Sequence, residues 1–174
     1  SSYKNDAQTL FANWDESDES DDYFSYYKTL ESDVVYNKSD ILSYQIKSIE
    51  YKGGANAYTG YKNIVIDLKT GHPVDENNLF VSGYKGTLDE MLLLKLMQQN
   101  KAKSKDELFE LGYSRIEDFT SNNNFLVDDK GITYIFSQGE YSIPTLGEIK
   151  IDLPYNELSL ILKEKSPISK LAGK

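Results

Sequence analysis

The sequence predicts an α+β domain: a largely antiparallel sheet, a central core helix at about residues 88–99, and flanking N- and C-terminal helices. Three observations predict it. Asn37-Lys38-Ser39-Asp40 separates the apolar runs Val34–Tyr36 and Ile41–Tyr51, and Asp128-Asp129-Lys130-Gly131 separates Phe125–Val127 from Ile132–Phe136. Both read as strand, polar turn, strand, with Gly131 expected to supply a positive φ. The third observation is the nearly continuous apolar surface from Met91 to Met97, which predicts a helix covered on more than one side. With 174 residues the chain fits one domain. We expect it to occupy residues 1–163, with a loose basic tail at 164–174.

The elements follow in order. Tyr3, Ala7, Leu10, Phe11 and Trp14 share one helical face, so an amphipathic helix is expected at the N-terminus. Asp15 to Asp22 then places six acids in eight residues, a solvated loop or frayed helix end. The calcium-loop alternative lacks the turn glycine and the spaced terminal Glu. Tyr23, Phe24, Tyr26, Tyr27 and Leu30 suit a second helix or the start of a strand. In the run Ile41–Tyr51, Leu42, Tyr44 and Ile46 share one face and Ile49 and Tyr51 the other, which predicts a β-bulge near Lys47-Ser48. Gly53 to Asn56 breaks the strand, and Tyr61 to Leu68 resumes it with Ile64, Ile66 and Leu68 together.

Leu79 and Phe80 suggest a short helical turn, and Thr87-x-x-Glu90 reads as a capping box for the core helix. Ser104-x-x-Glu107 repeats that pattern before a second, short helix that Gly112 should stop. Glu148 to Leu153 reads as a strand, and Pro154 as the first residue of a helix to about Lys163.

Composition narrows the function. The formal charge is -9 and the pI about 4.7, the wrong sign for neutralising phosphates, so nucleic acid is excluded as a main partner and a cationic one is favoured. There is no Cys, hence no disulfide, thiolate nucleophile or Cys-held metal. The single His72 lies between Gly71 and Pro73 in an apparent turn, which leaves no histidine-based triad or metal centre. Nucleotide-binding glycine motifs and the Gly-x-Ser-x-Gly elbow are absent. No cofactor and no metal is expected. Two of the 28 acids could still form a glycoside-hydrolase pair, the least favoured reading. The 14 Tyr residues suit protein contact, sugar stacking or ordinary strand packing alike. The longest apolar stretch is far too short to span a bilayer. The opening Ser1-Ser2-Tyr3 reads as a mature or truncated start.

Three segments carry a resemblance: Ile41-Leu42-Ser43-Tyr44 through Tyr51-Lys52-Gly53-Gly54-Ala55-Asn56; Ile66-Asp67-Leu68-Lys69-Thr70-Gly71 with Leu79-Phe80; and Asn124 to Ile132 with Ile151-Asp152-Leu153-Pro154-Tyr155-Asn156-Glu157-Leu158. Over about residues 31–163 the chain resembles the RsiV-like/PdaC-like family of bacterial extracytoplasmic domains, largely of unknown function. Asn56 stands where that family usually has His. In Gly139 to Gly147, Glu140 and Gly147 match the family pattern, while Ile143-Pro144 replaces its Pro-Tyr pair. The resemblance implies a non-catalytic, lipid-anchored cell-envelope domain that binds a lysozyme-like or other envelope protein. A peptidoglycan- or carbohydrate-binding module is the alternative. Membrane contact is expected only through an upstream lipid anchor. The loops Gly53–Tyr58 and Gly139–Gly147 are the expected recognition elements, with Asn56, Tyr58, Glu140, Tyr141 and Pro144 as binding residues.

Overall fold

The computed structural model describes residue 8 and residues 26–53 and 56–173. The expected N-terminal helix, the acidic run and Tyr23-Phe24 lie outside the described residues.

The first sheet has four strands in sequence order, β1 (Tyr27–Lys38), β2 (Ile41–Tyr51), β3 (Tyr58–Asp67) and the two-residue β4 (His72–Pro73), all antiparallel. Ser39 and Asp40 both have positive φ, as a two-residue hairpin turn matching the strand twist requires. β1 begins at Tyr27, which resolves the ambiguous aromatic segment as strand from that residue onward. The register irregularity falls between Val34 and Tyr36, on the edge strand, and not at Lys47-Ser48. β2 therefore keeps its alternation throughout: Ile41 and Ser43 point into the core, and Leu42, Tyr44 and Ile46 point outward. On β3 the inward residue is Val65, so the face shared by Ile64 and Ile66 is also the outer one, and Leu68 beyond the strand is exposed. The pattern misleads because both faces of this sheet carry large apolar side chains.

The second sheet is β5 (Phe125–Val127), β6 (Gly131–Phe136) and β7 (Ile149–Pro154), antiparallel with β6 central. Gly131 does open β6, but its φ is not positive. A Cβ there would lie 2.2 Å from the Leu153 carbonyl oxygen, so close approach of β7 demands the glycine. Asp128 closes the turn by accepting from the Lys130 and Gly131 N–H groups.

Between the sheets in sequence come three helices, α1 (Glu76–Leu79), α2 (Lys85–Gln99) and α3 (Lys105–Glu110). Asp75 and Asn78 cap α1 reciprocally, each side chain accepting from the other's backbone N–H. α2 starts at Lys85 behind Tyr84, without a side-chain cap, so Thr87 is interior and its capping box does not form. Ser104 caps α3 as expected, accepting from Glu107 N–H, and Gly112 has the positive φ of a left-handed stop.

α2 buries one stripe, Leu88, Leu92 and Leu96, flanked by partly buried Met91, Leu93 and Met97, while Leu94 is half exposed. It is thus a core helix covered on one side, not around most of its circumference. The stripe joins Phe80, Phe125, Tyr134, Phe136 and Ile151 in one core.

Pro154 ends β7 and no α-helix follows. A 3-10 turn, Glu157–Leu160, replaces the expected one, burying Leu158. The expected loose tail is anchored too: Ile168 is fully buried, and Leu171 and Ala172 pack against the core.

Candidate recognition surface

β3 has a second edge beyond the reach of β4, and unpaired N–H and C=O groups there would otherwise invite another strand. Polar side chains and the backbone of the second sheet close it. Gln138 makes a two-way bond with Thr59: Thr59 N–H donates to Gln138 Oε1 at 2.7 Å and Gln138 N–H donates to the Thr59 carbonyl at 3.3 Å. Tyr61 N–H donates to Ser137 Oγ at 3.0 Å. Asn124 accepts from Asn63 N–H at 2.8 Å and donates to the Tyr61 carbonyl at 3.1 Å.

The same closure reaches the expected Gly139–Gly147 loop. Gln138 also donates through Nε2 to the Pro144 carbonyl at 2.9 Å, so one amide ties the Gly139–Gly147 loop to the start of β3. Neither Gln138, Ser137 nor Asn124 is visible as a joint in the sequence, because an amide in a polar run carries no sign of a partner roughly 60–80 residues away.

Asn56 and Tyr58 are exposed at the entry to β3. The Tyr58 ring lies over Gly60, where a Cβ would stand 3.2 Å from its Cε1. Glu140 is half-buried and committed to the loop: Oε2 accepts from Ser137 N–H at 2.9 Å and Oε1 from Asn122 Nδ2 at 3.1 Å.

Tyr141 does not present its ring to a partner. It is 6% exposed, packed edge-on against Phe119 at 4.8 Å and Phe136 at 5.5 Å, with the Arg115 guanidinium over the ring and its hydroxyl donating to the Asp118 carbonyl. The expectation of a Tyr141 surface anchor is therefore corrected. The apolar residue facing outward is Ile143, two positions on.

Residues 112–114 run alongside 141–143. Ser114 N–H donates to the Tyr141 carbonyl and Ile143 N–H to the Gly112 carbonyl, both at 2.9 Å. Gly112 has φ 98°, and a Cβ there would meet Ile143 Cδ1 at 2.9 Å and Leu146 Cδ1 at 3.3 Å. The glycine thus lets Ile143 and Leu146 lie over the backbone. Around this junction Phe109 is 71% exposed, Leu111 48%, Ile143 49% and Leu146 43%. Pro144 and Thr145 between them are exposed as well, in a 3-10 turn closed by Gly147 N–H donating to the Pro144 carbonyl. Asp106 and Glu110 stand exposed on α3 beside the patch.

The most polar buried cluster lies elsewhere. Glu76 is buried, and its carboxylate accepts from Tyr84 OH at 3.0 Å, Ser121 Oγ at 3.1 Å and Asn123 N–H at 3.0 Å, with Lys85 Nζ at 3.6 Å. Asp89 accepts from Thr120 Oγ1 and Ser121 N–H. Burial and then Glu76 push the Tyr84 hydroxyl up to about 12. Burial and Glu76 hold the Tyr134 hydroxyl well above the usual tyrosine range, although it lies outside hydrogen-bonding geometry to any partner. Every oxygen of Glu76 is occupied and Ser121 is enclosed, so this network fastens the 120–124 loop to α1 and α2. Among the described residues no group of three His, Asp or Glu side chains converges as metal ligands.

Residues 77–156 match the model of a family described as protein of unknown function (DUF3298). A crystal structure of a member of that family from Bacteroides fragilis is similar to this chain at a TM-score of 0.84 and 27% identity, covering 98% of this chain and 67% of its own length. A family protein from Pseudomonas aeruginosa shares the fold at a TM-score of 0.64 and 16% identity, covering 79% of this chain. This chain spans 62% of that second protein. No curated protein matches the sequence.

Proposed function

We propose that this domain is a non-catalytic binding module of the cell envelope, and that it recognises a basic protein through the surface around Gly112 and the 139–147 loop. The observation that supports it is the exposure of Ile143 and Leu146 over Gly112, where residues 112–114 pair with 141–143, with Phe109 and Leu111 exposed just before that glycine. Scattered exposed apolar residues need no explanation, but a cluster on a rigid support is the usual form of an interface core. Asp106 and Glu110 beside it, and the net charge of -9, favour a cationic partner by speeding encounter. The resemblance of residues 31–163 to extracytoplasmic domains supports a lysozyme-like or other basic envelope protein and a location outside the cytoplasm.

Titration calorimetry against a basic lysozyme and against soluble peptidoglycan fragments tests the reading. Lysozyme should bind, more weakly at high salt, and Ile143→Asp or Leu146→Asp should weaken it at least ~10-fold, as loss of a central anchor does. Binding of peptidoglycan fragments alone would transfer the role to the carbohydrate-binding alternative. Lysozyme binding unchanged by both substitutions would remove this surface from the function. Fractionation of cells carrying the full-length protein tests the location, and recovery in the cytosol would overturn it.

A further inference from the structure

In an antiparallel ladder the N–H and C=O of one residue face the same neighbour, and the direction alternates along the strand. On β3 the odd-numbered residues face the second edge, where Tyr61, Asn63 and Val65 all make bonds. Asn124 closes one rung with a single carboxamide, accepting from Asn63 N–H at 2.8 Å and donating to the Tyr61 carbonyl at 3.1 Å. Further along, Val74 N–H donates to the Val65 carbonyl at 2.8 Å. Between these two closures lie the Asn63 carbonyl and the Val65 N–H. They repeat the Tyr61 carbonyl and Asn63 N–H one rung on, and neither has a partner among the described residues. Val65 is 3% exposed, so bulk water does not freely replace that partner.

A cavity of about 290 Å³ opens at this rung. Buried Val65, Val74 and Phe125 give it an apolar wall, and exposed Lys62 and half-buried Asp75 a charged rim. Asn63 lines it as well and carries another unsatisfied group: its Oδ1 accepts from Gln45 Nε2 at 2.9 Å, while its Nδ2 is buried without a partner. Buried polar groups left unpaired call for an explanation. We propose that this cavity binds a primary carboxamide of the kind carried by Gln and Asn, its oxygen accepting from Val65 N–H and its nitrogen donating to the Asn63 carbonyl. Asn124 makes the same bridge one rung away. Asn124 and Val74 already hold the edge on either side, so a single group fits there and a partner strand does not. A carboxylate would set an oxygen against the Asn63 carbonyl, and a guanidinium or ammonium would leave the Val65 N–H facing donors. The planar carboxamide presents donor and acceptor along one edge, as the rung requires. The site shares no residue with the surface around Gly112, so it stands whether or not that surface binds a protein.

Amide NMR of the isotopically labelled full chain tests this at the atom concerned, with no substitution that could disturb folding. N-acetylglutamine N-methylamide stands for a peptide side chain and free L-glutamine for a free amino acid. Binding should move the Val65 N–H resonance downfield along a saturable curve and slow its hydrogen exchange several-fold, and the tighter of the two probes names the source. N-acetylglutamate N-methylamide should bind at least ~10-fold more weakly, because it exchanges a hydrogen bond to the Asn63 carbonyl for a repulsion. A Val65 N–H unmoved by both glutamine probes up to their solubility limits would overturn the proposal. Equal binding of the glutamate analogue would overturn it too, since the site would then not read the carboxamide. So would shifts confined to Gly112 and Ile143, which would assign the amide to the other surface.

Discussion

Ser43 and Val127, 84 residues apart, exchange two hydrogen bonds where the sheets meet: Ser43 Oγ donates to the Val127 carbonyl at 2.6 Å, and Val127 N–H donates to Ser43 Oγ at 3.0 Å. Both residues are buried. One hydroxyl therefore satisfies both backbone groups of a strand residue that has no ladder partner on that side, and it fastens β2 to β5.

Ser43→Ala would leave the Val127 N–H and C=O buried and unpaired. Each such group costs about 1–3 kcal/mol, so the urea midpoint should fall clearly while the m-value stays the same. An unchanged midpoint would mean that β5 finds other partners.

Leu92 and Leu94 lie two positions apart on α2, the first fully buried and the second half exposed. Leu92→Ala should cost ~2–5 kcal/mol and Leu94→Ala within about half a kilocalorie of zero. Equal losses in equilibrium denaturation would show that α2 packs differently.

Gly131→Ala should destabilise by at least ~1–3 kcal/mol, because the added methyl meets backbone that cannot rotate away. Gly71, which has positive φ but open space around it, offers the contrast: Gly71→Asn should be tolerated, since Asn accepts that backbone region. Thermal melts of the two variants measure the difference.

Tyr134 should make the protein sensitive to alkali. Its folded pKa is raised, first by burial and then by Glu76, so above about 10, where the unfolded tyrosine ionises, the unfolded state loses a proton that the folded state keeps. Stability must then fall as pH rises, by up to ~1.4 kcal/mol per pH unit for this one group. Tyr134→Phe removes both the unpartnered hydroxyl and the titration. It should be close to neutral in stability at pH 7 and should flatten the fall above pH 10, as urea melts across pH 8–11 would show.

The local signals in the sequence determined much of this domain. Both hairpin turns, the Ser104 cap and the Gly112 stop depend on residues within four positions of one another, where backbone sterics and short hydrogen bonds decide the outcome. The breaks at Gly53–Tyr58 and Gly139–Gly147 were legible for the same reason, as glycine-containing connections between strands. The sides of the elements were not. Leu42, Tyr44 and Ile46 alternate as well as Ile41 and Ser43 do, and only the docking of β5 on Ser43 decides which set is interior. Ile143 is the more apolar of the two in sequence, yet the Phe119–Phe136 pocket takes Tyr141, and pairing with Gly112 sets Ile143 outside. The Gln138–Thr59 joint likewise exists only once two distant backbones lie side by side. Turns and caps are read from neighbours along the chain, but burial is a choice between faces of similar hydrophobicity, and tertiary contact makes it.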